Sequence, residues 1–356
     1  MTMAIENLSD LDERVARQNA FWDCAVIDRP VVSITVPKAR LERPYPSKDH
    51  ATIRERWLDV GYQVERALAY VMNTDYLGDA IPHAIPNLGP EVFSAFFGCE
   101  LEFGEYTSWS VPSLDSWDDV KGVHFSQDNV YWRTIVAMTD ALLDAGRGVF
   151  YTGITDLQPG SVIASLRDPH RLNLDMIDFP EEVKKLQAYV TEVYKGVYDF
   201  FCDKLAAAGQ LCCTWAGIVS TKRWYVPSVD FSCMISPRMF EETFLPGVAA
   251  ECRHYEASVY HLDGPGAVKH LDALLDIEEL NAIQWVWGAG QGRATDWMDI
   301  YVRCQKAGKG LQIGPVEPDE LDTLMDTLRP EGVWLGMVGI GDRVEAQAVL
   351  RRASRW

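Results

Sequence analysis

The chain alternates between short apolar runs and longer segments in which apolar residues recur every three or four positions. This alternation is typical of buried strands joined by amphipathic helices. After a helix at residues 8–23 and a strand at residues 30–36, apolar runs occupy residues 76–81, 105–110, 148–154, 211–216, 258–262, 282–286, 310–313 and 333–338. Eight strands that alternate with helices predict an α/β fold, a closed (β/α)8 TIM barrel with an amino-terminal helical extension.

Local signals support two of the helices in particular. Pro180 marks the start of a long segment with apolar residues at helical spacing, and Ser236 followed by Pro237 is typical of a helix N-terminus. No linker or low-complexity tract divides the chain. We therefore expect a single domain over residues 1–356, with residues 1–72 as the extension and residues 73–341 as the barrel core.

Composition and charge narrow the possible functions. The 356 residues are 47% hydrophobic, enough for a large core, and the net charge of −19 disfavours binding to nucleic acid or to an anionic membrane surface. The sequence has no run of about 18 apolar residues and no signal-peptide pattern near residue 1, so we expect a cytoplasmic protein. The eight cysteines contain no C-x-x-C pair and are expected to be reduced.

The most informative strand end is at residues 257–264, where an apolar run closes with His261 and Asp263 before a Gly-Pro-Gly break. Residues two apart in a strand point to the same face, so the imidazole and the carboxylate would lie together. They could hold a substrate or a metal. Alternatively, they form a hydrogen-bonded pair that only fixes the following loop.

In a TIM barrel the active site lies at the carboxyl ends of the strands. The other predicted strand ends carry polar and aromatic residues and few cations: Asp79, His83, Trp109, Thr155, Asp156, Trp215, Gln284, Trp285, Trp287 and Gln312. Few cations argue against a phosphate or polycarboxylate substrate, and the tryptophans favour a neutral or cationic one with a flat or apolar body. Each tryptophan could equally pack in the core. No complete nucleotide-binding loop, nucleophile elbow or H-E-x-x-H helix is found.

Three segments together resemble the uroporphyrinogen decarboxylase superfamily, and more closely its corrinoid-methyltransferase-like branch. They are residues 230–237 (DFSCMISP), 260–266 (YHLDGPG) and 280–285 (LNAIQW). The resemblance spans roughly residues 75–341 and implies a (β/α)8 barrel. It also implies that Asp79 corresponds to the aspartate that the decarboxylases direct at their substrate. The arginine-rich loop that grips the decarboxylase substrate has no counterpart at residues 30–40, which argues against porphyrin decarboxylation.

The methyltransferase branch implies a zinc site on the fifth strand. His261 matches its histidine, but Asp263 replaces a cysteine, and no cysteine occurs near residues 336–341. Gln284 falls where related methionine synthases place a ligating glutamate. The resemblance therefore implies a harder metal set of His261, Asp263 and Gln284, which suits oxygen partners better than thiols.

The expected function is the methyltransferase component of a corrinoid-dependent demethylation system. A methyl group would pass from a small donor, an aryl methyl ether or a methylamine, to the cobalt of a corrinoid (cobalamin) carried by a partner protein. The expected catalytic residues are His261, Asp263 and Asp79, and the expected substrate-binding residues are His83, Trp215, Asp230, Tyr260, Gln284 and Trp285. The alternatives are a lyase that resembles the decarboxylase and a non-catalytic small-molecule-binding barrel. The sequence leaves the oligomeric state open, with a homodimer as one candidate.

Overall fold

The computed structural model describes residues 3–6 and 8–356. Its strands are β1 (Val31–Pro37), β2 (Thr74–Gly78), β3 (His83–Ala84), β4 (Glu100–Phe103), β5 (Ser108–Val111), β6 (Tyr151–Thr152), β7 (Cys212–Cys213), β8 (Val219–Ser220), β9 (Trp224–Tyr225), β10 (Ala257–Asp263), β11 (Ala282–Val286), β12 (Gly310–Val316) and β13 (Val333–Met337). The longest strands lie in the second half of the chain and at β1.

The helices follow the predicted alternation with the strands. They are α1 (Leu11–Trp22), α2 (Ile53–Leu58), α3 (Val60–Met72), α4 (Val92–Ala95), α5 (Val130–Ala145), α6 (Val162–Arg167), α7 (Pro169–Asp178), α8 (Pro180–Ala207), α9 (Pro237–Thr243), α10 (Leu245–His254), α11 (Leu271–Leu275), α12 (Met298–Lys306), α13 (Leu321–Thr327) and α14 (Arg343–Ala353). The two predicted helix starts are confirmed: α8 begins at Pro180, and the Ser236 side chain accepts a hydrogen bond from the Met239 N–H at the start of α9. None of the described helices combines the length and hydropathy needed to cross a membrane.

Seven strands form one sheet in the order β2-β1-β13-β12-β11-β10-β9. Every neighbouring pair in it is parallel except β1 and β2, which are antiparallel. The molecule is therefore a mixed α/β protein built on a mostly parallel sheet. Because parallel strands need helices on their faces, helices α1, α12 and α14 contact this sheet, and buried apolar side chains from α5, α8 and α10 add to the main core.

The predicted closed ring of eight strands is not seen as one sheet among the described residues. Three further sheets have two strands each: β3 with β6, β4 with β5, and β7 with β8. The run predicted at residues 105–110 is the turn and second strand of an antiparallel hairpin, β4 and β5, so its placement in the barrel was wrong. Trp109 on this hairpin is 54% exposed.

The predicted division at residue 72 does not coincide with a structural boundary. β1 lies inside the large sheet, where Val31 pairs with Trp334 and Ile34 pairs with Met337 of β13. Helix α1 packs under the same sheet, with Phe21 and Trp22 buried. Helix α1 and strand β1, which lie within the predicted extension, thus belong to the core of the fold.

Candidate functional site

Register brings three polar side chains together on neighbouring strands. His261 on β10 pairs with Gln284 on β11, which in turn pairs with Gln312 on β12. Residues at one register level of adjacent parallel strands point to the same face. The three side chains therefore form a row across the sheet.

Hydrogen bonds along this row fix the tautomer of His261. The Gln312 amide N–H₂ donates to the backbone carbonyl of Ala216 at 2.7 Å, and a carbonyl can only accept. The Gln312 oxygen then accepts from the Gln284 N–H₂ at 2.9 Å, which leaves the Gln284 oxygen to accept from His261 Nδ1 at 2.5 Å. The proton of a neutral His261 ring is therefore on Nδ1, and Nε2 keeps its lone pair.

Two carboxylates lie beside this imidazole. Ligand atoms of Asp230, His261 and Asp263 are all within 4.8 Å of one another. Asp230 begins the 3-10 turn Asp230–Met234, and Asp263 ends β10. Burial raises the pKa of Asp230, and the nearby charge of Asp263 raises it further, whereas His261 lowers it.

These three residues fit a divalent cation. Two carboxylates and an imidazole nitrogen are a common donor set for zinc and for harder divalent metals. The buried Asp230 Oδ1 has no hydrogen-bond partner among the described residues, so a positive charge would compensate it. Gln284 orients the imidazole by accepting a hydrogen bond from Nδ1, the nitrogen that would not bind the metal. This arrangement is frequent around metal-bound histidines. The Gln284 oxygen bonds His261 and its nitrogen bonds Gln312, so these contacts make Gln284 a support for His261 rather than the direct metal ligand that was expected.

Asp156 adds a fourth polar group that the sequence analysis noted at a strand end but did not assign. Burial, together with the charge of Asp230, raises its pKa to about 8, while the nearby groups of Gln158 and Trp215 act in the opposite direction. At neutral pH this carboxyl group is therefore largely protonated and can donate a hydrogen bond. The signal in the sequence was its position directly after the apolar run at residues 148–154.

Trp215 links this cluster to a cavity. Its indole ring meets the His261 ring edge to face, with the ring centroids 5.2 Å apart. The same side chain lines a cavity of about 420 Å³ together with His83. The His83 Nδ1 faces the Ile81 carbonyl at 3.0 Å, and burial lowers the pKa of this histidine, so it is neutral and offers Nε2 as an acceptor. Trp215 and His83, both predicted to bind substrate, therefore line the same cavity.

Two of the predicted substrate-binding residues face away from the cluster. Tyr260 and Trp285 alternate with His261 and Gln284 along their strands and point to the opposite face. Both are buried, and the Trp285 ring packs against Trp297 at a centroid distance of 5.0 Å. Core packing between the sheet and its helices explains both residues.

Asp79 is also separate from the cluster. It is fully buried, and its carboxylate is held by Arg29, by Arg17 and by the backbone N–H of Val32. These partners come from α1 and from the segment around the start of β1. With its oxygens already bonded, Asp79 is placed as the centre of an ion cluster that ties α1 to the sheet.

Comparison with known proteins provides a match in fold. No protein-family model matches the chain, and no curated protein matches it. Among the solved structures that match is a methyltransferase from Methanosarcina mazei, with a TM-score of 0.61 and 13% sequence identity over 96% of this chain and 98% of that chain. At this identity the likeness shows a shared α/β fold over almost the full length of both chains.

Proposed function

We propose that this protein is a methyltransferase that moves a methyl group from a small donor to the cobalt of a corrinoid on a partner protein. The observation that carries the proposal is the cluster of Asp230, His261 and Asp263, with the His261 tautomer fixed by Gln284, in a fold shared with a methyltransferase. The resemblance of residues 230–237, 260–266 and 280–285 to corrinoid methyltransferases supports the same function.

The chain's own residues would position the donor and stabilise its leaving atom. Trp215 presents a flat apolar surface next to His261, which suits a methyl-bearing group. Direct displacement needs the nucleophile, the methyl carbon and the leaving atom in line, and it needs the developing charge to be stabilised. Asp230, the Nε2 lone pair of His261 and Asp263 would hold a cation, and that cation would stabilise the charge on the leaving atom.

Two absent groups would supply the remaining chemistry. A reduced corrinoid would provide the cobalt nucleophile, and Asp230, His261 and Asp263 would hold a divalent cation, with zinc as the first choice, that would provide a positive charge. The acidic character of the chain favours a partner protein with a basic docking face.

We further propose that the strands form a (β/α)8 barrel of the uroporphyrinogen decarboxylase type. Hydrogen bonds between the separate sheets support it. The Ile154 N–H donates to the Cys213 carbonyl, which brings the segment after β6 to β7, and the Trp224 indole N–H donates to the Cys212 carbonyl, which joins β9 to β7. Decarboxylation itself is disfavoured because the carboxylate oxygens of Asp79 are occupied by arginines and the Val32 N–H.

The decisive experiment mixes the purified protein with cob(I)alamin and a panel of methyl ethers, methylamines and betaines. Formation of the cobalt–methyl bond is followed by absorbance. His261→Ala and Asp263→Asn should abolish the reaction, whereas His124→Ala, at an exposed histidine in another region, should leave it unchanged. No methylation with any donor would contradict the function and favour a non-catalytic barrel.

The metal is tested separately from the activity. Elemental analysis of the purified protein should find about one divalent cation per chain, reduced in His261→Ala and in Asp230→Asn. Asp272→Asn, at an exposed carboxylate paired with Arg303, is the matched control. An activity that survives chelation with no metal bound would instead assign His261 to proton transfer.

A further inference from the structure

The cavity beside Trp215 has a composition unlike the rest of this acidic chain. Its apolar walls come from α3, α5 and the segment after β3, including Val64, Ile85 and Met138. Tyr45 and Tyr70 also line it and are about half exposed, at 49% and 55%. Its volume of about 420 Å³ lies in the range of roughly 300–1,000 Å³ that small-molecule sites occupy.

Arg66 is the one residue with a permanent charge among the described residues that line this cavity, and no aspartate or glutamate lines it. The guanidinium group of Arg66 donates to the Gln63 side chain at 3.3 Å, and the described residues give it no hydrogen bond to a carboxylate. The hydrogen bond and ion pair with Arg56 lower the pKa of Glu105, and the charge of Arg66 adds to this only weakly, so Arg66 is not the partner of Glu105. In a protein with a net charge of −19, an unpaired arginine at an apolar cavity offers a site for an anion.

We propose that this cavity binds the body of an aromatic monocarboxylate, with the carboxylate on Arg66 and the ring among Tyr45, Tyr70 and Trp215. The inference rests on the proposed function, because it makes the methyl donor a methoxy-substituted aromatic acid whose ether group is directed at His261. It also revises the expectation of a neutral or cationic substrate. That expectation was based on the residues at strand ends, whereas Arg66 lies on helix α3.

Charge and shape complement each other in this arrangement. A flat ring gains from contact with aromatic side chains, and a guanidinium pairs with a carboxylate through two parallel N–H···O bonds. Trp215 touches both the cavity and His261, so a ring bound beside it lies next to the proposed catalytic group. A second negative charge on the donor would have no partner among the described lining residues.

Binding is measured directly by isothermal titration calorimetry with 4-methoxybenzoate and its neutral analogue 4-methoxybenzamide. The full chain should bind the acid about 10-fold more tightly than the amide, because only the acid forms a charge-assisted pair. Arg66→Gln should remove this preference and leave the affinity for the amide unchanged. Arg133→Gln is the control. Arg133 is also exposed and has no described ion pair, but it does not line the cavity, so this variant should keep the preference for the acid.

Equal affinity for the acid and the amide, a preference that survives Arg66→Gln, or no binding of either ligand would overturn the inference. Circular dichroism of each variant shows whether it is folded. The binding experiment needs no cobalt. Acid-selective binding without methyl transfer would therefore support the carboxylate site and contradict the proposed function. Methyl transfer without acid-selective binding would support the proposed function and contradict the carboxylate site.

Discussion

Gln284 and His261 are joined by a 2.5 Å hydrogen bond between the Gln284 oxygen and His261 Nδ1. The bond has a defined direction only because Gln312 engages the other end of the Gln284 amide and is itself held by the Ala216 carbonyl. The backbone carbonyl of Ala216 thus decides which nitrogen of His261 is available. This relation makes Gln312 a positioning residue.

Gln312→Leu should release the Gln284 amide and let His261 populate both tautomers. We expect the activity to fall by about 10-fold or more, since outer partners of functional histidines commonly contribute 10–100-fold. In ¹⁵N spectra, the His261 ring should change from the Nδ1-protonated form to a mixture. Gln312→Glu offers a second variant, because its carboxylate can accept from Gln284 but cannot donate to Ala216. An unchanged tautomer in a folded Gln312→Leu protein would refute the relay.

Trp215 and Trp285 should respond in opposite ways to the same substitution. Trp215→Phe should weaken donor binding with little loss of stability, because the ring lines the cavity. Trp285→Phe should lower the free energy of unfolding, by about 1–3 kcal/mol for a cavity in the core, and leave donor binding unchanged. Urea denaturation and ligand titration of both variants make the comparison. Weaker donor binding in Trp285→Phe would show that Trp285 belongs to the substrate site.

The ion cluster around Asp79 should matter for stability rather than for chemistry. Removing one partner of a buried pair leaves an uncompensated charge, so Arg29→Met should destabilise the protein by about 3–5 kcal/mol. Asp79→Asn should destabilise the protein by a similar amount, because it leaves the buried guanidinium of Arg29 without its charged partner. The specific activity of the folded fraction should stay near the wild-type value in both variants. A folded Asp79→Asn protein without activity would show a catalytic role.

Glu251 predicts a pH dependence of stability. Its side chain is buried, with a 3.4 Å hydrogen bond from the Tyr255 hydroxyl, and burial raises its pKa well above the usual value. A group with a raised pKa binds more protons in the folded state than in the unfolded state. The contribution of protonated Glu251 to stability is therefore fully present below the pKa that this residue has in the unfolded state. It is lost as the pH rises through the pKa of Glu251 in the folded state.

Glu251→Gln should flatten this pH dependence, because glutamine has the same shape and does not titrate. Urea unfolding between pH 5 and 9 would measure it, and the wild-type slope from this residue cannot exceed about 1.4 kcal/mol per pH unit. The variant should be more stable than the wild type at the high end of that range. Identical slopes for the two proteins would show that Glu251 does not contribute.

The sequence by itself determined the alternation of strands and helices, the starts of α8 and α9, and the polar end of β10 at His261 and Asp263. These depend on local periodicity, on turn chemistry and on the two-residue repeat of a strand, all of which a linear chain displays. The same reasoning placed β10, β11, β12 and β13 within a few residues of their observed bounds.

Only the tertiary structure decided which polar residues meet. The row of His261, Gln284 and Gln312 depends on strand register, and the faces of Tyr260 and Trp285 follow from the same register. The partners of Asp79 come from α1 and the segment before β1, and Arg66 comes from α3. Contacts between residues far apart in the chain are set by how the helices pack on the sheet, which no local pattern encodes.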